Sequence, residues 1–130
     1  LTFVRTATAW GVRPVLMTQP NRLIETPDPL IRKIVSRLDT QGVSYGTLRE
    51  LYDRFNQVVR DVAAAENIFL IDLKREVPPT REFMYDTMHY NDRGSELVAK
   101  IVSRALAPLT REILTDRGDD APKKRAPYPR

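Results

Sequence analysis

Two short apolar runs constrain the fold of this chain more than any other feature. The first covers residues 14–18, Pro-Val-Leu-Met-Thr, and the second covers residues 68–71, Ile-Phe-Leu-Ile. A continuous apolar run of this length is typical of a strand that is buried on both faces of a parallel sheet. Segments with helical spacing lie between the two runs, so the sequence predicts parallel strands joined by a right-handed helical crossover.

Capping patterns mark the first two predicted helices. Residues 3–10 are interpreted as the end of a helix that Gly11 closes. Asp28 is placed to cap a second helix, with Pro29 at its first position. The apolar face predicted for that helix consists of Leu30, Ile31, Ile34, Val35 and Leu38.

Two longer helices are predicted further along the chain. Thr47 with Glu50 three residues on is a capping-box pattern, and the helix it opens is expected to end near Asn67. A loop is expected over residues 74–85. The last helix should begin at about Asp92 and weaken around Pro108. Its predicted inward positions are Leu97, Val98, Ile101, Val102, Ala105, Leu106 and Leu109.

Composition and charge narrow the classes of function. The hydrophobic fraction of 42% can support a core, no apolar run approaches transmembrane length, and the absence of cysteine excludes disulfides and thiolate metal sites. Residues 116–130 hold five basic and three acidic residues, so this segment carries +2 of the net charge of +4. With three prolines it is interpreted as a disordered basic tail, and no nucleic-acid partner is expected.

His89, the only histidine of the chain, is the strongest candidate for chemistry. Asp86 precedes it by three residues, in the loop that leads from the second apolar run to the last helix. In parallel α/β sheets the ligand site lies beyond the carboxyl ends of the strands, which is where this loop begins. A carboxylate that orients a histidine is suited to general-base catalysis. The alternative is a non-catalytic α/β binding or assembly module in which this pair is only a hydrogen bond at the helix entrance.

Three segments in order resemble the C-terminal half of the SGNH/GDSL hydrolases. They are Val-Leu-Met-Thr-Gln-Pro at 15–20, Ile-Phe-Leu-Ile-Asp-Leu at 68–73, and Asp-Thr-Met-His at 86–89 followed by Tyr-Asn-Asp-Arg-Gly. In that family an Asp-x-x-His motif precedes the last helix. The resemblance covers about residues 1–109 and is most specific over residues 68–106.

The resemblance implies a flavodoxin-like, three-layer α/β/α sandwich with a parallel sheet, of which residues 1–115 would be the C-terminal portion. It further implies a serine esterase in which His89 is the general base and Asp86 holds its tautomer. The substrates would be carboxylic esters such as acetylated sugars, lysophospholipids or other acyl esters. Acyl transfer of this kind needs no cofactor. The compartment, the oligomeric state and the particular ester remain open.

The chain departs from the family pattern in its missing motifs. It has no Gly-Asp-Ser nucleophile motif, no oxyanion-hole glycine and no Gly-x-Asn-Asp loop, and Tyr90 stands where many members have proline. We therefore expect the nucleophile and further strands to be encoded upstream of Leu1. On that interpretation this chain alone is inactive.

Three weaker interpretations accompany the main one. Residues 42–46 match Gly-x-Ser-x-Gly, so Ser44 with Asp72 and His89 would have the order of an α/β-hydrolase triad, although no strand is predicted before Ser44. A metal site from Asp86, His89 and Asp92 would have a weak ligand set. Finally, Met84, Met88 and Tyr90 are expected either to line an acyl pocket or to pack the loop.

Overall fold

The computed structural model describes residues 1–39 and 41–119. Within them it has five helices and two strands. In chain order these elements are α1 (Thr2–Ala9), β1 (Val15–Met17), α2 (Pro29–Asp39), α3 (Tyr45–Ala65), β2 (Phe69–Ile71), α4 (Leu73–Glu76) and α5 (Asp92–Asp119).

The two strands pair in parallel as predicted, but the prediction that they are buried on both faces is wrong, because Met17 and Phe69 are exposed. Val15 aligns with Phe69 and Met17 with Ile71, so both strands end at the same edge of the sheet. The helices α2 and α3 form the connection between them. The described residues are thus a mixed α/β fold around a two-stranded parallel sheet. The flavodoxin-like, three-layer sandwich stays a prediction.

Two of the predicted helix ends are confirmed and one cap is wrong. The side chain of Asp28 accepts the backbone N–H of Ile31 at 3.0 Å, and α2 begins at Pro29. Gly11 follows α1 with a positive φ of 70°. The cap of α3, however, is Ser44, whose hydroxyl accepts the backbone N–H of Thr47 at 3.1 Å. Thr47 was the wrong choice because the helix already begins at Tyr45.

The predicted loop and last helix also need correction. A short helix, α4, occupies the start of the expected loop, and α5 continues through Pro108 without a break. Proline is tolerated there because it is exposed, so water can pair with the carbonyl four residues earlier that loses its intrahelical donor. α5 extends to Asp119, into the first four residues of the predicted tail. The prediction for residues 120–130 lies outside the described residues.

Two apolar clusters hold these elements together. One is centred on buried Ile71, Leu73, Val77 and Ile101, and joins the sheet to α4 and α5. Six of the seven predicted inward positions of α5 belong to this cluster: Leu97, Val98, Ile101, Val102, Ala105 and Leu106. The other cluster packs α2 against α3 through Leu23, Ile31 and Val35, with Tyr45, Leu48 and Tyr52 at its edge.

Part of α3 is apolar but uncovered. Leu51, Phe55 and Val58 are each more than half exposed, at a spacing that places them along one stripe of the helix. None of the helices in residues 1–39 and 41–119 has the length and hydropathy to cross a membrane.

Candidate functional site

The loop between α4 and α5 carries Asp86 and His89 and is folded back on itself. Met84 and Tyr90 form an antiparallel bridge at its base. Just inside that bridge, the backbone N–H of Tyr85 donates to the carbonyl of His89 at 3.1 Å. Residues 85–89 therefore form a closed turn that is fixed at both ends, rather than an open connection.

Asp86 binds His89 through both of its carboxylate oxygens. Its Oδ2 lies 2.7 Å from the ring Nδ1 of His89. Its Oδ1 accepts the backbone N–H groups of Met88 and His89, at 2.9 and 2.8 Å. The sequence predicts that Asp86 and His89 interact, and the structure brings them together in this way.

These contacts set the charge of Asp86 and the tautomer of His89. Partial burial acts to raise the pKa of Asp86, but the backbone N–H groups of His89 and Met88 and the His89 ring outweigh it and hold that pKa below its usual range. An ionised Asp86 requires a proton on Nδ1 of His89, which leaves the lone pair of a neutral ring on Nε2. A base with its lone pair on Nε2 is the form that takes a proton from a hydroxyl nucleophile.

The His89 ring is held but accessible. The ring of Tyr85 stacks on it, with the centroids 5.6 Å apart and the planes 14° from parallel. The side chain of His89 is nevertheless 65% exposed, while that of Asp86 is 23% exposed. The carboxylate is thus largely enclosed and the imidazole is presented to the surface.

The entrance of α5 is stabilised without help from the Asp86–His89 pair. Asn91 caps it, because its Oδ1 accepts the backbone N–H of Gly94 at 2.9 Å. Its amide donates to the carbonyls of Arg81 and Glu82, which ties the loop to the helix. Asn91 thus satisfies this helix end, and the alternative that Asp86 and His89 form only a hydrogen bond at the helix entrance stays a prediction.

Gly94 allows this close junction of loop and helix. A Cβ at position 94 would lie 1.9 Å from the carbonyl oxygen of Phe83, a distance that no side chain tolerates. The backbone N–H of Asn91 donates to the same carbonyl at 3.1 Å. The position of the Asp86–His89 turn therefore depends on the absence of a side chain at residue 94.

An open, mainly apolar cavity of 540 Å³ adjoins the imidazole. Its lining residues are Gln19, Leu51, Tyr52, Phe55, Met88 and His89. Gln19 follows β1, and the other residues come from α3 and the Asp86–His89 turn. The carboxyl end of the sheet, the exposed stripe of α3 and His89 thus meet at one place.

Met84, Met88 and Tyr90 were expected either to line a pocket or to pack the loop, and the structure gives them different positions. Met88 lines the cavity and accepts a hydrogen bond from the Tyr52 hydroxyl on its sulfur. Met84 is fully buried and packs the loop. Tyr90 packs against the cluster around Ile71 and Ile101, where burial raises the pKa of its hydroxyl.

Ser44 and Asp72 have structural roles instead of the triad roles of the weaker interpretation. Ser44 caps α3 and follows a helix and a turn, whereas a nucleophile elbow requires a strand immediately before the serine. The carboxylate of Asp72 is bound by Arg60 at 2.8 and 3.0 Å and by the Thr18 hydroxyl at 2.8 Å. The hydrogen bond from Arg60 is the main reason that the pKa of Asp72 is below its usual range.

A metal site at the Asp86–His89 turn receives no support from the geometry. Within residues 1–39 and 41–119, no three side chains of histidine, cysteine, aspartate or glutamate lie together in an arrangement that could hold an ion. Asp92, the third ligand considered, lies at the start of α5.

Sequence reasoning missed the contacts that fix the turn. Asn91 and Gly94 enter the sequence argument only as part of the motif. An Asn directly before the first residue of a predicted helix is nevertheless a recognisable N-cap signal. The stacking of Tyr85 on His89 has no signal in a single sequence.

Comparison with family models, with curated proteins and with solved structures found no match. The resemblance to the SGNH/GDSL hydrolases therefore stays a prediction.

Proposed function

We propose that this chain is the histidine-bearing part of a serine esterase of the SGNH/GDSL type. The observation that carries the proposal is the 2.7 Å contact between Asp86 Oδ2 and His89 Nδ1, in a closed turn beyond the strand ends. In this proposal the flavodoxin-like, three-layer sandwich is completed by strands and helices encoded before Leu1. The nucleophilic serine and the oxyanion-hole donors come from the same upstream sequence.

The proposed reaction uses the two residues in distinct roles. His89 Nε2 accepts the proton of the serine hydroxyl as the oxygen attacks the ester carbonyl, and it then gives that proton to the departing alcohol. Water, activated by the same nitrogen, hydrolyses the acyl-enzyme to release the acid. Asp86 stays ionised throughout, holds the proton on Nδ1 and stabilises the imidazolium.

The surroundings of His89 support this chemistry over a structural role. The His89 ring is 65% exposed and lines a cavity, so a substrate could reach it. The mainly apolar lining of that cavity suits the acyl group of an ester more than a charged substrate. Carboxylic esters, including lipid and sugar esters, remain the proposed substrates.

The first experiment is to determine the reading frame upstream of Leu1. A Gly-Asp-Ser motif with a Gly-x-Asn-Asp loop after it would supply the groups that the mechanism needs. The extended protein should then hydrolyse p-nitrophenyl esters and lose about 10³-fold or more of that activity in the His89→Ala variant while staying folded. An upstream region without a nucleophile, or near-normal hydrolysis by His89→Ala, would contradict the proposal and favour a non-catalytic binding or assembly module.

A matched variant separates loss of the base from damage to the turn. Tyr85→Leu removes the ring that stacks on His89 but leaves both contacts of Asp86 in place. We expect this variant to keep most of the hydrolytic rate. Equal losses in Tyr85→Leu and His89→Ala would mean that the activity follows loop packing rather than the imidazole.

A further inference from the structure

Arg22 lies beneath the Asp86–His89 turn and has no role in the mechanism above. It belongs to the connection between β1 and α2, far from the turn in sequence. Its side chain is only 3% exposed. A buried guanidinium needs several hydrogen-bond partners to offset the loss of its hydration, and the positions of those partners show what it organises.

The partners of Arg22 lie on both arms of the turn. Its Nη1 donates to the carbonyl of Met84, at the base of the turn, at 3.1 Å. Its backbone N–H donates to the carbonyl of Thr87, between Asp86 and His89, at 2.9 Å. One residue thus binds the turn before the carboxylate and again between the carboxylate and the imidazole.

Asp28 anchors Arg22 from the opposite side. Its Oδ2 is paired with Nη2 of Arg22, and its Oδ1 caps α2 by accepting the N–H of Ile31. The planar guanidinium can reach Asp28 and the Met84 carbonyl together, since its N–H groups diverge in fixed directions. A lysine ammonium is a single point and cannot occupy both positions.

We infer that Arg22 is a positioning residue that holds the Asp86–His89 turn, and through it the Nδ1–H tautomer of His89. Its guanidinium fixes the Met84 carbonyl and its backbone N–H fixes the Thr87 carbonyl, so that Oδ2 of Asp86 faces the ring. This inference rests on the proposed function only for its consequence in catalysis. The geometry that it concerns is measurable in the chain without any hydrolysis.

The test is the tautomer of His89, read from the two ring ¹⁵N shifts of the neutral imidazole in the full 130-residue chain. His89 is the only histidine, so the signals need no separate assignment. An imidazole without a partner favours the proton on Nε2, whereas a carboxylate on Nδ1 selects the other tautomer. We expect the unmodified chain to show mainly the Nδ1–H form.

Three variants distinguish positioning from general stability. Arg22→Lys and Arg22→Met should shift the tautomer ratio toward Nε2–H by fivefold or more. Lys74→Met is the matched control, because Lys74 is another partly buried cation and its hydrogen bonds go to Asn21, next to Arg22, at 2.8 and 3.2 Å. That control should keep the ratio of the unmodified chain.

Each result has a defined meaning. An unchanged ratio in folded Arg22→Lys and Arg22→Met, or an equal shift in Lys74→Met, would overturn the inference while leaving the proposed function intact. If both Arg22 variants unfold, Asp28→Asn decides, since it weakens the anchor of Arg22 and keeps an oxygen to cap α2. A shift in Asp28→Asn supports the inference and no shift overturns it. If the unmodified chain already lacks the Nδ1–H form, both the inference and the Asp86–His89 pair of the proposed function fail.

Discussion

Asp86 binds His89 twice, at the backbone N–H through Oδ1 at 2.8 Å and at the ring through Oδ2 at 2.7 Å. Because both oxygens belong to one rigid carboxylate, the orientation of the imidazole is tied to the backbone of the turn. The ring cannot rotate away from Asp86 without losing a charge-assisted hydrogen bond. This relationship allows the effects of charge and of turn geometry to be separated by mutation.

Asp86→Asn should abolish the tautomer control while keeping the turn. The amide oxygen can still accept the N–H groups of Met88 and His89, but the amide nitrogen would then face Nδ1 and force the proton onto Nε2. If upstream sequence supplies the proposed serine, we expect a loss of about 10³–10⁴-fold in kcat. Steady-state hydrolysis of a p-nitrophenyl ester measures it.

Asp86→Ala is the control for the turn itself. It removes both backbone contacts as well, so it should lower the free energy of unfolding by about 1–2 kcal/mol, whereas Asp86→Asn should change it little. Urea denaturation of the two variants makes the comparison. Equal losses of stability would contradict the separate roles given to Oδ1 and Oδ2.

Ser44→Ala should destabilise the chain without affecting hydrolysis. Loss of the N-cap of α3 should lower the free energy of unfolding by about 1 kcal/mol. Thr47→Val is the matched variant, because the Thr47 hydroxyl contacts the Ser44 hydroxyl, and it should have the smaller effect. A larger loss in Thr47→Val would restore the capping-box prediction, and loss of esterase activity in Ser44→Ala would restore the nucleophile-elbow interpretation.

Gly94→Ala should be strongly destabilising. The new methyl group would meet the Phe83 carbonyl oxygen at 1.9 Å, and only a backbone shift can relieve that clash. We expect the free energy of unfolding to fall by about 2–3 kcal/mol, as measured by thermal or urea unfolding.

The helical Gly46 offers the opposite case, since a Cβ added there would lie 3.8 Å from its nearest neighbour, the Ser44 hydroxyl. Gly46→Ala should be neutral or stabilising by up to about 1 kcal/mol.

Arg60→Met should remove part of the pH dependence of stability that the unmodified chain shows in acid. The folded-state pKa of Asp72 is below its usual value, chiefly because Arg60 donates to its carboxylate. The pair therefore stabilises the folded chain fully above the unfolded pKa of about 3.9, and this contribution is lost as the pH falls through the folded pKa. We expect the variant to be less stable by about 1–3 kcal/mol at neutral pH, with the difference shrinking in acid.

An exposed ion pair provides the comparison for that measurement. Arg5 pairs with Glu66 at 2.8 Å, but the Arg5 side chain is 65% exposed. Arg5→Met should leave the unfolding curve nearly unchanged at neutral pH, because solvent screens the pair. If Arg5→Met and Arg60→Met lower the free energy of unfolding equally, the partial burial of Asp72 does not strengthen its ion pair.

If the proposed function holds, Phe55→Ala should weaken the hydrolysis of long-chain esters more than that of short-chain esters. Phe55 lines the cavity beside His89, so its removal should lower kcat/KM for an octanoyl ester by about tenfold relative to the acetyl ester. Val58→Ala is the control, because Val58 lies on the same exposed stripe of α3 but outside the cavity lining. Equal chain-length profiles for both variants would exclude the cavity as the acyl site.

The elements of this fold follow from local patterns in the chain. Uninterrupted apolar runs predict β1 and β2, and the Asp28-Pro29 pair predicts the start of α2. The capping-box pattern at Thr47 misplaces the start of α3, because Ser44 directly precedes the helix that Tyr45 begins and caps it. Helix α5 passes Pro108 because its exposed side leaves the unpaired carbonyl to water, a circumstance that no local pattern reveals.

The candidate site was predictable only where its residues are close in sequence. Asp86 and His89 are three positions apart, so a local turn is enough to bring them within reach of each other. Arg22 and Gln19 reach the same region from the connection after β1, and Phe55 reaches it from α3. Their arrival depends on how the parallel strands align, and pairwise packing across such distances leaves no signal in one sequence.

One carboxylate also limits the ways in which this chain can misfold. Strands of three residues make few backbone hydrogen bonds, so sliding one past the other by a residue costs little in the ladder itself. Asp72 opposes that error, because at the strand ends it binds the Thr18 hydroxyl that follows β1 and the Arg60 guanidinium of α3 together. A slipped register would separate the Asp72 carboxylate from its partners and leave a partly buried charge unpaired. The native register is therefore favoured because the shifted registers are less stable.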